Sequence, residues 1–335
     1  GGAVTVNLPA GTAGAVVAVK DYAKTFDTNN VTLVQNGSDK IGGSTDNSVL
    51  SAEGIAVTLV FVDSTQGWLV TDSGLQSEAP PPFIAATGGT ITTVCTNYKV
   101  HTFTGPGTFE VTSGSGAAAV VDYIVVGGGG GGGGGSDRGA GGGGGGFRGS
   151  SGTATNCYAA GCGPIVAPVS AIPVSPGSFP IVVGGGGAGR SGPGVGVGTS
   201  GVASSGLSIT SAGGGAGGGA SAGSAGGSGG GGSGPSAPGA GGAGNTPSVT
   251  PPQGNNGGNY AGNGNGGGGG ISGDGTNATP CQAGPGGQDI NNSITGSPVY
   301  YAGGGGGGGQ NGTSTGGTGS PGGSGGAAGA TGTSP

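Results

Sequence analysis

The sequence has no methionine, a single histidine, a single tryptophan, and charged residues at only 6% of its 335 positions. Each scarcity removes a class of protein. Seven Lys and Arg against thirteen Asp and Glu leave a net charge of −6. With no basic stripe to neutralise phosphates, a nucleic-acid partner is excluded. No apolar run reaches the ~18 residues needed to cross a bilayer. The best, Ala117–Val126, is short and carries Asp122. The first residues lack a signal-peptide pattern. Without methionine, Gly1 is no ordinary translation start, so a processed product or the carboxyl-terminal part of a longer protein is expected. No stretch has the periodicity of a helix of useful length.

Catalytic groups are equally sparse. His101 stands alone in an alternating strand-like segment, where a structural role is expected. Ser and Thr abound, but no base is placed to activate one. Asp21, Asp27 and Glu53 form no catalytic pair, and beyond residue 123 the only carboxylates are Asp137, Asp274 and Asp289. Matches to GxGxxG arise by chance in such a chain, and none is followed by a helix. No enzyme activity, cofactor or metal is expected. Cys95, Cys157, Cys162 and Cys281 lack zinc-site spacing. Cys157 and Cys162 are placed to close a small loop, and Cys95 and Cys281 to staple distant segments. An extracellular disulfide setting and free thiols fit equally.

What the chain does have is glycine, 99 residues of it. Collagen is excluded, because the glycines lack the every-third-residue register. Disorder is opposed by low charge and by a repeated unit: a short apolar strand running straight into glycine. Tyr123–Val126 leads into nine glycines, Gly127–Gly135; Phe179–Val183 into Gly184–Gly187; Leu207–Ser211 into Gly213–Gly219; Val299–Ala302 into Gly303–Gly309. An extended three-residue helix has no internal hydrogen bonds. Without Cβ atoms, such helices approach closely enough to bond to neighbours on several sides. The expected fold is therefore all-β, a small antiparallel β-domain followed by a β-layer that continues into a bundle of polyglycine II helices. Candidate helices are Gly127–Gly135, Gly141–Gly146, Gly184–Gly187, Gly213–Gly219, Gly229–Gly232, Gly266–Gly270 and Gly303–Gly309.

Three regions follow in order. Residues 1–73 hold most of the charges and alternate (Val4, Val6, Leu8; Val57, Leu59, Phe61) between turn signals such as Asn36-Gly37, giving an antiparallel β-module for attachment or oligomerisation. Residues 74–83, with Pro80-Pro81-Pro82, form a stiff linker. Residues 84–335 form the glycine-rich domain.

The ordered series Val4–Ala10, Val17–Asp21, Asn29–Leu33, Asn36-Gly37 and Leu59–Asp63 with Gly67–Val70 resembles a β-module of bacteriophage tail-fibre and other virion structural proteins. Tyr98–Phe109, Asp122–Gly129, Pro176–Gly186 and Ser208–Gly215 resemble a glycine-rich domain of phage tail fibres and some bacterial surface proteins. The resemblance implies a virion protein, a tail fibre or tip segment akin to the distal adhesins of T-even-like phages. It further implies a homotrimer contacting other virion proteins and a host cell-surface receptor, protein or glycan. Interruptions of the glycine pattern (136–138, 147–163, 190–202, 235–252, Tyr260 and 271–294) collect the side chains of the second half. Arg138, Phe147, Arg148, Tyr158, Arg190 and Tyr260 are the receptor-binding candidates, since aromatic and Arg side chains dominate interface energy. The rival role for Phe147 and Tyr158 is to cap the apolar ends of the bundle. The alternative function is a capsid decoration protein or a subunit of an extracellular filament with no receptor.

Overall fold

The computed structural model describes residues 2–75, 84–95, 98–114, 119–135, 139–151, 170–190, 194–234, 239–310 and 314–320. Among these residues the fold is all-β, without helices. The chain divides into two compact units, Gly1–Pro81 and Pro82–Pro335.

The first unit contains β1 (Val4–Asn7), β2 (Val16–Lys20), β3 (Val31–Val34), β4 (Ser48–Leu50), β5 (Ile55–Asp63) and β6 (Gly67–Leu75). They pair as two three-stranded sheets, β1-β3-β4 and β2-β5-β6. Pairing is antiparallel except between β1 and β3, which run parallel. The β6 strand reaches Leu75 because Gly74 and Leu75 still pair with Ala56 and Ile55 of the long β5. Residues 74 and 75, expected in the linker, are therefore strand; 76–83 lie outside the described residues. Alternation buries Leu8, Val31, Leu33, Leu50, Val57, Leu59, Phe61 and Trp68 in one core. The Phe61 and Trp68 rings meet edge to face at 5.5 Å. Gly11 lies so close under Phe61 that a Cβ there would sit 2.0 Å from the ring. Buried Asp21 ties down the 21–26 turn and the start of β5, accepting bonds from the N–H groups of Thr25, Phe26 and Gly54. Burial opposes its charge, but the N–H groups of Gly54, Phe26, Thr25 and Lys24 outweigh that and hold the carboxyl below its ordinary value.

The second unit opens with β7 (Ala85–Thr87), β8 (Thr90–Val94), β9 (Tyr98–Thr102) and β10 (Gly107–Ser113). Next come β11 (Val120–Val121), β12 (Ile124–Val126), β13 (Phe147–Gly149), β14 (Ile172–Pro173), β15 (Gly177–Ile181), β16 (Ser204–Gly206), β17 (Ile209–Ser211), β18 (Ile290–Asn292) and β19 (Val299–Tyr301). The β15-β10-β7 sheet and neighbouring strands cover a small core of Phe109, Val111 and Val174. His101 serves that core: its ring meets Phe109 edge to face at 5.1 Å, and its Nδ1 lies 2.8 Å from the carbonyl of Gly88.

Beyond the strands the chain becomes a bundle of extended three-residue helices. Segment 127–134 shows the rule. Gly127, Gly130 and Gly133 donate to Gly146, Gly143 and Ala140 at 2.8–3.0 Å. Gly128, Gly131 and Gly134 donate to Val202, Thr199 and Gly196. Its carbonyls accept from Gly187, Arg190, Gly214 and Gly217. Each face repeats every third residue and serves a different neighbour, as a helix of three residues per turn requires. At ~3.1 Å per residue the segment spans about 25 Å. A Cβ at Gly127, Gly128, Gly130, Gly131 or Gly133 would lie 2.0–2.1 Å from a neighbour's carbonyl oxygen. Only glycine allows these backbones so close, and closeness is what pairs their buried polar groups.

Hydrogen-bond pairing in such a lattice needs a register, which featureless glycine cannot supply; the β-ladders do. In β12–β13, Ile124, Val125 and Val126 face Gly149, Arg148 and Phe147. The same count continues unbroken through Gly127–Gly146, Gly130–Gly143 and Gly133–Ala140. The β16–β17 pairing (Ser204 with Ser211) continues as Gly201–Gly214 and Gly198–Gly217. The β18–β19 pairing (Ile290 with Tyr301) continues as Gly304–Gly287 and Gly307–Gly284.

The bundle extends past the pure glycine runs. Segments 196–202, 239–245, 273–279 and 282–289, expected as interruptions, carry the same backbone bonding, as does 253–260. Their larger residues are tolerated where side chains replace a missing neighbour. The Oδ1 atoms of Asn259 and Asn256 accept from the N–H groups of Gly241 and Gly244, and those of Asp274 and Asn277 accept from Asn256 and Asn259. Inside, buried Gln253 accepts from the Ala212 N–H at 2.8 Å and donates to the Pro247 carbonyl at 2.7 Å. Buried Asn265 donates to the Gly308 carbonyl at 2.6 Å.

Candidate recognition surface

Successive segments alternate in direction, so connections gather at two ends. One end carries the β-ladders. There Phe147, Ile271, Ile290 and Ala302 form a buried cluster, with the Tyr301 ring 6.2 Å from that of Phe147. Phe147 is thus a core residue and not a receptor contact, because β13 turns its ring into the junction between strands and glycine helices. Arg148, half-buried in β13 opposite Val125, belongs to the same end. Burial raises the Tyr123 phenol above its usual pKa, and the positive charge of Arg148 opposes that rise.

The far end is formed where segments exchange partners. Gly134 pairs with Gly196, Gly264 with Gly309, and Gln282 with Thr315. Two tight turns close there, with Ala261 paired to Gly264 and Thr279 to Gln282. Of the expected contact residues, Arg190 and Tyr260 lie at this end, each as the last residue of its segment. The Arg190 N–H donates to Gly132 and the side chain is exposed. The Tyr260 N–H donates to Gly239 and its hydroxyl donates to the Gly262 carbonyl. Arg138 and Tyr158 lie outside the described residues.

Thr279, Pro280, Cys281 and Gln282, inside the expected 271–294 interruption but not among the named contact residues, are all exposed in one turn at this end. The signal that marks them is spacing: a turn must follow each segment of roughly two helical turns. Among the described residues at this end Arg190 is the charged group, and the rest offer hydroxyls, amides and backbone. Cys281 is a free, exposed thiol. Cys95 is disulfide-bonded, so the expected Cys95–Cys281 staple does not exist. Cys157 and Cys162 lie outside the described residues. No group of His, Cys, Asp and Glu suited to a metal occurs among the described residues. No described helix is long and apolar enough to cross a membrane.

Residues 102–335 match the glycine-rich domain family. The chain belongs to that family. In this member, glycine richness is the means by which the backbone itself becomes the packed interior. No curated protein matches the chain.

Proposed function

We propose that this glycine-rich protein is a non-enzymatic structural protein of a bacteriophage virion, a tail-fibre or tail-tip segment. In this reading the turns at the far end of the bundle contact the host cell surface. The observation that carries it is the division of labour in the bundle. Backbone bonding fixes the scaffold, so the end turns are free to vary without loss of the fold, as binding loops on rigid scaffolds do. Arg190, Tyr260 and the 279–282 turn present a guanidinium, a phenol, hydroxyls and amides, groups that suit a glycan or other polar receptor. The use of His101 as a core residue supports a non-catalytic role. The first unit attaches to other virion proteins, and the assembled protein is a trimer.

Virions carrying Arg190→Ala with Tyr260→Ala should assemble normally and adsorb to host cells at least tenfold more slowly. Arg148→Ala, at the opposite end, should adsorb like wild type. Unchanged adsorption of the double variant would overturn the reading, as would electron microscopy placing the chain on the head or in a free filament.

A further inference from the structure

Interior glycines are explained by the neighbours they touch; a row on segment 184–190 is not. A Cβ on Gly186 or Gly189 would come no closer than 3.6 and 3.8 Å to another atom, and one on Gly185 would meet nothing within 4 Å. None of the three has a positive φ that would demand glycine. All are exposed. Three residues apart on one face, Gly186 and Gly189 neither donate nor accept a backbone hydrogen bond among the described residues. Keeping glycine there costs backbone entropy with no return within one chain. Beside the row, segment 196–202 bonds to it through Val202 to Gly185 and Thr199 to Ala188. That segment leaves Val197 and Val202 exposed at 44% and 59%, and Val195, just before it, at 51%. The margin is thus uncharged, apolar and open to backbone except for Arg190 at one extremity.

We propose that this margin is a self-association surface: segment 184–190 pairs antiparallel with the same segment of a second copy across a two-fold axis. A backbone with carbonyls at three-residue intervals is the partner that complements such a row, as the interior pairings illustrate, and the segment supplies one to itself. Antiparallel pairing places the two Arg190 side chains at opposite ends, so like charges do not meet. The exposed valines supply apolar area around the paired backbones. The association is independent of what the bundle tip binds.

The test uses the full chain. Wild type should have about twice the solution mass of the Gly186→Arg/Gly189→Arg variant by sedimentation or light scattering, whatever oligomer the first unit sets. The Gly186 and Gly189 amides should exchange slowly in wild type. Because a Cβ at either position meets only ordinary van der Waals contact and both residues are exposed, the variant should melt like wild type. If its melting falls, Val197→Asp takes its place, with the same halving of mass expected. Equal masses for wild type and variants, or unprotected amides in wild type, overturn the proposal. So does a larger wild-type assembly that survives the substitutions.

Discussion

The two units bury their backbones by opposite means. In the first, sheets are sealed by side chains: Leu8, Leu33, Leu59 and Trp68 are each at most 1% exposed, and the hydrophobic effect drives the packing. In the second, the bundle interior is glycine with small residues such as Ala140, Ala216 and Ser228 and a few hydrogen-bonding amides, among them Gln253 and Asn265. There the backbone serves as both scaffold and filling. The comparison teaches that a low count of bulky apolar residues does not by itself imply disorder. What matters is whether buried N–H and C=O groups find partners, and glycine helices find them on several sides.

Substitutions can break the comparison at either side. The largest effect is expected for Gly131→Arg, whose Cβ alone would lie 2.1 Å from the Ala188 carbonyl oxygen. The obstacle is backbone in a lattice, which cannot swing aside as a side chain does. The loss should exceed the ~1–3 kcal/mol usual for overpacking and abolish the bundle's melting transition in circular dichroism. An unchanged melt would refute the backbone-core account. Trp68→Ala should cost about 3–5 kcal/mol, confined to the calorimetric transition of the first unit. A shift of both transitions would mean that the units do not unfold separately.

A finer test uses two glycines of one turn. At Gly270 a Cβ would lie 2.2 Å from the Gln288 carbonyl oxygen, whereas at Gly273 the nearest atom is 3.9 Å away. Gly270→Ala should destabilise by about 1–3 kcal/mol in denaturant titrations. Gly273→Ala should be neutral or stabilising by about 0.4–1 kcal/mol, through the unfolded chain. The smallest effect concerns pH. The pKa of Asp21 is lowered in the fold, so its stabilisation is present above the unfolded value of about 3.9 and lost as pH falls through the lower folded value. Asp21→Asn should lower the first unit's melting temperature at neutral pH, with the gap from wild type closing in acid. A constant gap would show that the carboxylate charge is not what the turn depends on.

Much of this architecture is legible in the amino-acid sequence. Strand-then-glycine units located the ladders and the first helices, because an apolar strand running into a side-chain-free stretch has few other uses. Mixed segments such as Gly273–Thr279 and Gln282–Asp289 were not legible. Their Asn, Asp and Gln side chains look like loop residues until the backbone groups they substitute for are known. Phe147 misled for a related reason: an aromatic at the end of a glycine run reads equally as a tip contact or a junction plug. Only the alternation of segments decides which end it occupies. That alternation also separates Arg190 and Tyr260 from Arg148, which composition alone treats alike.

The unbroken count from ladder into bundle constrains how such a protein can change in length. Deleting one residue within 127–134 would slide every later carbonyl off its partner on four adjoining segments at once. Removing or adding three on each of two paired segments would restore all contacts one turn shorter or longer. Lineages built on this plan should therefore differ by triplets along the shafts, while their end turns accept insertions of any size.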